Sequence, residues 1–388
     1  MQENIKKKGS KKMLQNRIFI VMGVEHYNPL GIIRSLGEYG IKSVYIGIDG
    51  RANVASQSKY ISKCYKVKNY VEACQLLLDK YGNYSSDNLP IVYLSDDDQL
   101  GYMDENYEKF AGKFIFFNAG EKGRITKYMD KFNILELAKK FGLKTPEAAA
   151  VKKGEIPQNV PFPIITKSIA PNVGGWKSDV FICENEEELK AAYEKIQSPI
   201  VLVQHYIDKK NEFALEGFSA DHGRKTFISI ASTYLYNIKG YYSPYHDVNN
   251  FKDEVLYDKF CGMFKEIGFE GIFEIEFLVD QDDELYFSEI NFRNSTWSYA
   301  STCAGMNLPV LWARTMIEGK IPEDAYQEIE NTFTAMVEPI DYQKRVVERN
   351  YDIEKWYEDF KNAKCKYYFN EKDLKPFFVM LENNTNLR

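Results

Sequence analysis

Residues 273–294 read FEIEFLVDQDDELYFSEINFRN, and their pattern is the most informative one in the chain. Apolar side chains alternate with acidic ones through its first half, which is the period-two pattern of a half-buried strand. The polar residues 281–283 supply turn chemistry, and a second strand begins soon after them. The pattern therefore predicts an antiparallel hairpin with one apolar face and one acidic face.

The register of this hairpin brings acidic side chains together. With the turn centred on residues 282–283, Glu276 lies opposite Glu289. Glu274 then lies opposite Asn291. Directly opposed side chains lie about 5 Å apart at Cβ, so two carboxylates there repel each other. A divalent cation would turn this repulsion into chelation, and Mg²⁺ prefers such oxygen ligands; the alternative is an ordinary hairpin with a solvated acidic face.

Length and composition limit the class of protein. The chain has 388 residues, of which 44% are hydrophobic and 27% charged, so we expect two or three globular domains. Its formal net charge of -6 argues against non-specific nucleic-acid binding. No apolar run approaches the ~20 residues of a membrane span. Six scattered cysteines without a C-x-x-C pair are typical of reduced thiols in a cytoplasmic protein.

A βαβ unit follows a polar, flexible tail at residues 1–15. Residues 18–22 and 44–48 are apolar runs typical of buried parallel strands. The helix between them has Pro29 in its first turn and stops at Gly40. This order predicts a parallel sheet with a right-handed crossover. No G-x-G-x-x-G follows the first strand, so the dinucleotide-binding fingerprint is absent.

An acidic run, Ser95 followed by Asp96, Asp97 and Asp98, comes directly after a further predicted strand at 90–94. One interpretation is an aspartate-rich metal motif for a sugar nucleotide. The other is a helix start, with Ser95 as the N-cap and the aspartates at the positive end of the helix dipole. We favour the helix start, because apolar residues recur at helical spacing after the run.

A second domain begins near residue 145, after a predicted helix over 126–141 that contains Lys131. Lys167 ends the next predicted strand, and a loop with Gly174 and Gly175 follows it. Strands on both sides of this loop predict a hairpin flap. Exposed glycine amides can approach a phosphate closely, although most Gly-Gly pairs between strands are only turns.

The order of these features resembles the ATP-grasp superfamily. A lysine on a helix, a lysine on a strand, a glycine loop, a hinge at 204–207 with Glu212 after it and an acidic hairpin occur in turn. The resemblance covers roughly residues 18–320 and is nearest to the carboxylate–amine ligase branch that includes bacterial D-aspartate ligase. The most specific part of the resemblance is residues 285–293. It implies an α/β fold, α+β in the ATP-binding part, with a parallel α/β domain at the N-terminus.

The resemblance also implies roles for individual residues. The implied nucleotide-binding residues are Lys131, Lys167, Gly174, Gly175, Gln204, His205, Tyr206, Ile207 and Glu212. Magnesium, with manganese as an alternative, would be held by Glu276, Glu289 and Asn291. Arg293 would act with Lys167 in catalysis, because it would face the acyl phosphate and stabilise its negative charge.

The implied reaction is ATP-dependent ligation of a small carboxylate to an amine, such as amino acids, through an acyl phosphate. Two alternatives stay open: an ATP-dependent carboxylase of the same fold, and a sugar-nucleotide-dependent transferase using Asp96, Asp97 and Asp98. A homo-oligomer is compatible with the sequence. This sequence departs from the family at two places. Glu274 stands where some peptide ligases have a basic residue that holds a substrate carboxylate. Residues 294–297 stand where many relatives have a Pro-Gly-type turn. We therefore do not predict D-aspartate as the substrate.

These features predict a division into four parts. The four parts are a tail at 1–15, an N-terminal α/β domain at 16–125, an ATP-grasp domain at 126–325 and a C-terminal appendage at 326–388. The ATP-grasp domain is divided into a flap subdomain at about 145–207 and a catalytic subdomain at about 208–325. Within the appendage, the apolar run at 376–381 predicts a last strand.

Overall fold

The computed structural model describes residues 14, 16–48, 53–169, 176–238 and 242–385. Its N-terminal part contains the strands β1 (Phe19–Val24), β2 (Ser43–Ile48), β3 (Ile61–Val67) and β4 (Ile91–Leu94). They form a parallel sheet in the order β3-β2-β1-β4. The helices of this part are α1 (Tyr27–Tyr39), α2 (Tyr70–Tyr81), α3 (Asp97–Glu105) and α4 (Tyr107–Phe110). The predicted βαβ unit is confirmed, and Gly40 ends α1 with a left-handed φ of 97°.

The acidic run after β4 starts a helix, but the capping residue differs from the predicted one. Asp96 is the N-cap of α3, and its carboxylate accepts hydrogen bonds from the backbone N–H groups of Asp98 (3.1 Å) and Gln99 (3.4 Å). Ser95 instead extends the sheet, because its N–H donates to the carbonyl of Met22 at 3.3 Å. The aspartate caps the helix because the serine is still held by the neighbouring strand.

The predicted helix over 126–141 is two helices, α5 (Arg124–Met129) and α6 (Lys131–Lys140). Asp130 separates them with an extended backbone, and its carboxylate accepts the N–H groups of Phe132 and Asn133, both at 2.9 Å. An aspartate that bonds to the backbone ahead of it competes with a continuous helix. The break makes Lys131 the first residue of α6.

A second sheet forms the flap side of the molecule. Its strands are β5 (Ala148–Lys152), β6 (Ile164–Ser168), β7 (Ile182–Cys183) and β8 (Ile200–His205), and α7 (Glu186–Tyr193) lies between the last two in sequence. The strands are antiparallel and lie in the order β5-β8-β6-β7. Apolar residues such as Ile164 and Leu189 give this sheet a core separate from the main one. Gly174 and Gly175 lie outside the described residues.

The third and largest sheet has seven strands. They are β9 (Lys209–Ala220), β10 (Lys225–Tyr234), β11 (Tyr245–Asn249), β12 (Gly271–Asp280), β13 (Leu285–Asn291), β14 (Phe333–Met336) and β15 (Cys365–Lys366). Their order is β13-β12-β9-β10-β11-β14-β15, with only β14 and β15 parallel. The helices α8 (Glu254–Ile267), α9 (Tyr299–Cys303) and α10 (Leu308–Glu318) accompany it.

The C-terminal segment adds β14 and β15 to this sheet and contains the helices α11 (Glu338–Asp341), α12 (Ile353–Asn362) and α13 (Lys375–Thr385). The prediction of a strand at 376–381 is wrong, because these residues lie in α13. Pro376 stands in the first turn of that helix, where its missing N–H is harmless and its fixed φ suits a helix. Across the described residues, every helix is too short or too polar to span a bilayer.

Candidate active site

The acidic hairpin has the predicted register at its acidic residues. On β12 and β13, Glu276 pairs with Glu289, and Glu274 pairs with Asn291. Glu274 also pairs on its other side with Glu216 of β9. Three neighbouring strands therefore carry one row of polar side chains, Glu216–Glu274–Asn291, beside the pair of opposed carboxylates.

The other face of the hairpin explains why these acids point into a cleft. Phe273, Ile275 and Phe277 alternate with the acids and are at most 2% exposed. The Phe273 ring stacks on Phe264 of α8 with centroids 4.1 Å apart. Burying this apolar face against α8 forces the intervening glutamates to the opposite face.

A cavity of about 420 Å³ lies where this acidic face meets the flap sheet. The predicted site residues that line it are Lys131, Lys167, Gln204, His205, Tyr206, Ile207, Glu212, Glu276, Glu289, Asn291 and Arg293. These are all of the predicted site residues that the described part of the chain contains. Residues from α6, β6, β8, β9, β12 and β13 thus converge on one space.

Two lysines occupy the cavity with different electrostatics. Lys131 pairs with Glu289, whereas the Nζ of Lys167 donates to Oε1 of Gln204 at 2.9 Å. Burial alone would lower the pKa of Lys131, but the attraction of Glu289 outweighs it and raises that pKa. Burial lowers the pKa of Lys167 to about 8, and the nearby charge of Lys131 adds to this effect. Lys131 therefore keeps its positive charge at neutral pH. Lys167 can lose its positive charge at a pH slightly above neutral.

The opposed carboxylates also differ. Burial raises the pKa of Glu276 well above its usual range, and the charges of Glu274 and Glu289 raise it further. For Glu289, the attraction of Lys131 outweighs burial and lowers the pKa. Asn291 bridges the row, since its Nδ2 donates to Glu274 at 2.9 Å and to Glu276 at 2.8 Å. Repulsion between the acids is thus relieved by one ammonium and one amide.

The donor set of Glu276, Glu289 and Asn291 fits a hard divalent cation. Two carboxylates and an amide supply only oxygen ligands, and magnesium takes its remaining ligands from water and phosphate. Within the described ranges, no three Asp, Glu, His or Cys side chains form a ligand cluster, and the candidate set therefore combines two carboxylates with an amide. The side-chain nitrogen of Asn291 lies between Glu274 and Glu276. Turning the amide by 180° would place its oxygen there instead.

Asp97 lines the same cavity, although the ATP-grasp resemblance did not include it among the site residues. Its Oδ2 accepts a hydrogen bond from a terminal nitrogen of Arg293 at 3.1 Å, and its Oδ1 forms an ion pair with Nε of Arg293 at 3.0 Å. Arg293 also donates to Oδ1 of Asn291 at 3.3 Å. Asp97 stands just after the carboxyl end of β4, the edge at which open α/β sheets bind ligands. That position was the available signal. The sequence is interpreted as a helix start, with a sugar-nucleotide metal motif at residues 96–98 as the alternative.

A second cavity, of about 680 Å³, adjoins the first. The residues common to both linings are Asp97, Lys209, Glu212, Glu276 and Arg293. The second cavity reaches the carboxyl end of β1 and the loop after β13. The hairpin therefore faces two connected spaces, one beside the flap sheet and one beside the N-terminal sheet.

The antiparallel flap sheet and the mostly antiparallel larger sheet enclose a cavity between a lysine-bearing flap and an acidic hairpin, which is the arrangement expected of the ATP-grasp fold. Residues 128–220 match the family model described as the RimK-like ATP-grasp domain. The matched segment contains Lys131, Lys167, the hinge at 204–207 and Glu212. The chain has the ATP-grasp fold, as predicted, preceded by a parallel α/β sheet.

Particular relatives agree with this class. The chain is 26% identical over 170 residues to D-alanine–D-alanine ligase of Fusobacterium nucleatum, an alignment that covers 42% of this chain and 55% of that ligase. The chain thus spans about half the length of that relative. Among solved structures, an L-amino acid ligase of Bacillus licheniformis is similar with a TM-score of 0.60, 15% identity, and coverage of 84% and 80% of the two chains. N5-carboxyaminoimidazole synthetase of Staphylococcus aureus has a TM-score of 0.64, 15% identity and 87% coverage of both chains.

Proposed function

We propose that this protein is an ATP-dependent carboxylate–amine ligase. The observation that carries the proposal is the pair of opposed carboxylates, Glu276 and Glu289, facing Lys131 and Lys167 in one cavity. Phosphoryl transfer needs charge neutralisation and positioning more than covalent help from the protein. The cavity supports both requirements, because lysines line it and oxygens on its strands would bind a divalent cation.

The proposed chemistry proceeds in two steps. A substrate carboxylate oxygen attacks the γ-phosphorus of ATP, and the bond to the β-phosphate oxygen breaks, so an acyl phosphate and ADP form. The amine nitrogen then attacks the acyl carbon, inorganic phosphate leaves with its electron pair, and the nitrogen loses a proton to water or a nearby base. The products are an amide, ADP and phosphate.

Each residue has a distinct part in this scheme. Lys131 and Lys167, which line the cavity, would neutralise phosphate oxygens, and Arg293 would stabilise charge on the acyl phosphate. Magnesium held by Glu276, Glu289 and Asn291 would supply further neutralisation of the triphosphate, and manganese can take the same ligands. The hinge and Glu212 would receive adenine and ribose, with Gly174 and Gly175 over the phosphates.

Similar proteins support small molecules as both substrates. A D-alanine–D-alanine ligase and an L-amino acid ligase are among them, and amino acids are therefore the first compounds to test. N5-carboxyaminoimidazole synthetase and a biotin carboxylase domain from Hydrogenobacter thermophilus share the fold, which supports carboxylation as the second candidate. A sugar-nucleotide transferase has less support, because Asp96 caps α3 and Asp97 pairs with Arg293.

We also propose a cytoplasmic location and the domain boundaries given above. All six cysteines lie within the described residues and are free thiols, as expected in a reducing compartment. The acidic net charge agrees with a protein that has no nucleic-acid partner. Assembly into a homo-oligomer stays a prediction.

The proposed function predicts ADP release that depends on Mg²⁺ and on a matched pair of substrates. Purified protein is incubated with Mg-ATP and a panel of amino acids and small acids, with and without amines, and products are identified by mass. We expect ADP only with one class of carboxylate, and a new amide when an amine is added. ADP release with bicarbonate alone would select the carboxylase, and binding of a nucleotide sugar without ATP binding would contradict the ATP-grasp assignment of this cavity.

The lowered pKa of Lys167 predicts that nucleotide affinity falls at alkaline pH. Phosphate binds the protonated amine and raises its pKa, so affinity is full below pH 8 and declines as pH rises through about 8. The decline is at most about tenfold per pH unit for one proton. Titration calorimetry with Mg-ADP from pH 7 to 9.5 should show this decline, and Lys167→Gln should weaken binding at pH 7 and flatten the profile. Lys190→Gln, at an exposed lysine of α7, is the matched control.

A further inference from the structure

The C-terminal segment reaches the wall of the second cavity through Tyr367. This residue directly follows β15 and is 1% exposed, so its ring lies inside the molecule. Its ring centroid is 5.7 Å from that of Tyr27, the first residue of α1. It is 5.6 Å from the ring centroid of Trp297, in the loop after β13. Tyr367 therefore connects the C-terminal segment to two other parts of the chain.

The backbone around Tyr367 is held from two sides. Arg34 of α1 is fully buried and donates to the carbonyls of Tyr367 at 3.0 Å and Tyr368 at 2.8 Å. The buried carboxylate of Glu338 accepts the N–H groups of Tyr368 at 3.1 Å and Phe369 at 2.7 Å. Buried polar groups that are hydrogen-bonded in this way make the local structure rigid. The position of the Tyr367 ring is therefore fixed by its backbone.

The Tyr367 hydroxyl contacts the same region as its ring. It donates to the backbone carbonyl of Trp297 at 3.4 Å and lies 3.3 Å from Nε2 of His246. His246 is fully buried on β11, and its ring centroid is 4.6 Å from that of Trp297. Tyr367 thus contacts Trp297 directly, through ring and backbone, and also through His246.

Trp297 and Tyr242 are the aromatic residues of the cavity wall that this arrangement supports. Both line the second cavity, and their ring centroids are 5.4 Å apart. The Tyr242 hydroxyl is 3.0 Å from the hydroxyl of Tyr27. Tyr27 and Tyr367 lie one layer behind the described lining, so they can affect the cavity only through the residues in front of them.

The second cavity is the space from which a substrate can reach ATP. Arg293 lines both cavities, and Trp297 stands four residues after it. With the nucleotide in the first cavity, as proposed, the carboxylate that attacks the γ-phosphorus must approach from the connected space. A shift of Trp297 would change the shape of that space and leave the nucleotide cavity, which it does not line, as it was.

We propose that Tyr367 is a positioning residue for the carboxylate substrate, and that the C-terminal segment is therefore needed for substrate affinity. The proposal rests on the proposed function. Tyr367 holds Trp297 directly, and it supports Tyr242 through Tyr27. Removing the Tyr367 ring would leave a space behind the wall, into which its neighbours relax. The wall would then fit the substrate less well.

Two substitutions separate the ring of Tyr367 from its hydroxyl. The assay uses the carboxylate selected by the ligase panel and hydroxylamine, a small nucleophile that traps the acyl phosphate as a hydroxamate. Tyr367→Leu removes the ring, and we expect the KM for the carboxylate to rise about tenfold, as the loss of two aromatic contacts allows. The kcat and the KM for Mg-ATP should stay within about twofold of the wild type. Tyr367→Phe keeps the ring, and its KM for the carboxylate should stay within about threefold.

A double-variant cycle tests whether Tyr367 acts through Trp297. If it does, Tyr367→Leu/Trp297→Leu should raise the KM for the carboxylate little more than Trp297→Leu alone. Tyr357→Leu is the matched control, because Tyr357 lies on α12 of the same segment and is 56% exposed. Thermal unfolding checks that each variant is folded. Tyr367→Met, whose flexible side chain fills irregular gaps, replaces the leucine variant if that variant does not fold.

The outcomes separate this inference from the proposed function. If loss of the Tyr367 ring lowers only kcat, or raises the KM for Mg-ATP as much as that for the carboxylate, the positioning role is wrong while the ligase remains. Additive effects of the Tyr367 and Trp297 substitutions would also overturn it. If no carboxylate yields ADP or a hydroxamate with the wild type, the proposed function itself fails, and this inference fails with it.

Discussion

Replacing Glu289 by glutamine is expected to lower turnover by more than about 100-fold and to leave the fold intact. The carboxylate faces Glu276 across the hairpin and pairs with Lys131, so it is part of the charge balance of the phosphate site. Even residues that only support metal ligands change activity by about 10- to 100-fold when mutated. A proposed ligand should have a larger effect. Glutamine keeps the size and one acceptor oxygen, so Lys131 retains a hydrogen-bond partner.

The measurement compares ADP release across Mg²⁺ concentrations for the wild type and the variant. Loss of a cation ligand should also raise the Mg²⁺ concentration needed for half-maximal activity. Glu284→Gln is the matched control, because Glu284 lies at the turn of the same hairpin and pairs with Lys144 in an exposed position. Full turnover by Glu289→Gln at ordinary Mg²⁺ would remove this residue from the metal site.

The register of the hairpin could be predicted from the sequence, although the path of the chain near the turn could not. Near the turn, residues 277–279 pair with residues 285–287. Each of these pairs is shifted by one residue from the pairing that a turn centred on 282–283 predicts. An irregularity between Glu276 and Phe277 restores the predicted pairing at the acids. Alternation is a local property and survives in the sequence, whereas a bulge depends on how the strand fits its neighbours.

Contacts between distant segments were beyond sequence reasoning. Arg293 and Asp97 are 196 residues apart, and nothing in either segment indicates the other. The pairing of Glu274 with Glu216 likewise depends on β9 lying beside β12, which is a matter of strand order. The residues that line the site could therefore be predicted from the sequence. The distant residues that contact them, and so change their electrostatic environment, could not.

Errors in secondary structure came from polar and proline positions within apolar patterns. Asp130 divides a pattern that is helical on both sides, because its carboxylate caps the second helix. Pro376 precedes a run of apolar residues that suits a strand or a helix, and the apolar run alone does not distinguish them. In both cases a local side-chain or ring effect decides between structures that the hydrophobic pattern allows.

A second large effect is expected at Asp373, on the stability of the fold. Arg34 is fully buried and donates through Nε to Asp373 at 3.1 Å, and through its other nitrogens to the carbonyls of Tyr367, Tyr368 and Asp373. The carboxylate also accepts from Ser58 at 2.8 Å. Asp373→Ala removes the carboxylate that pairs with this buried guanidinium. We expect a loss of about 3–5 kcal/mol in the free energy of unfolding.

Urea unfolding of three proteins separates the cause of this loss. Replacing both partners of a buried ion pair by apolar residues of similar volume is often neutral. The double variant Arg34→Met/Asp373→Leu should therefore be more stable than Asp373→Ala alone, if the cost comes from an orphaned charge. Glu328→Ala, which breaks an exposed pair with Lys252, should leave the midpoint unchanged. An Asp373→Ala midpoint equal to that of the wild type would show that this pair does not hold the C-terminal segment against α1.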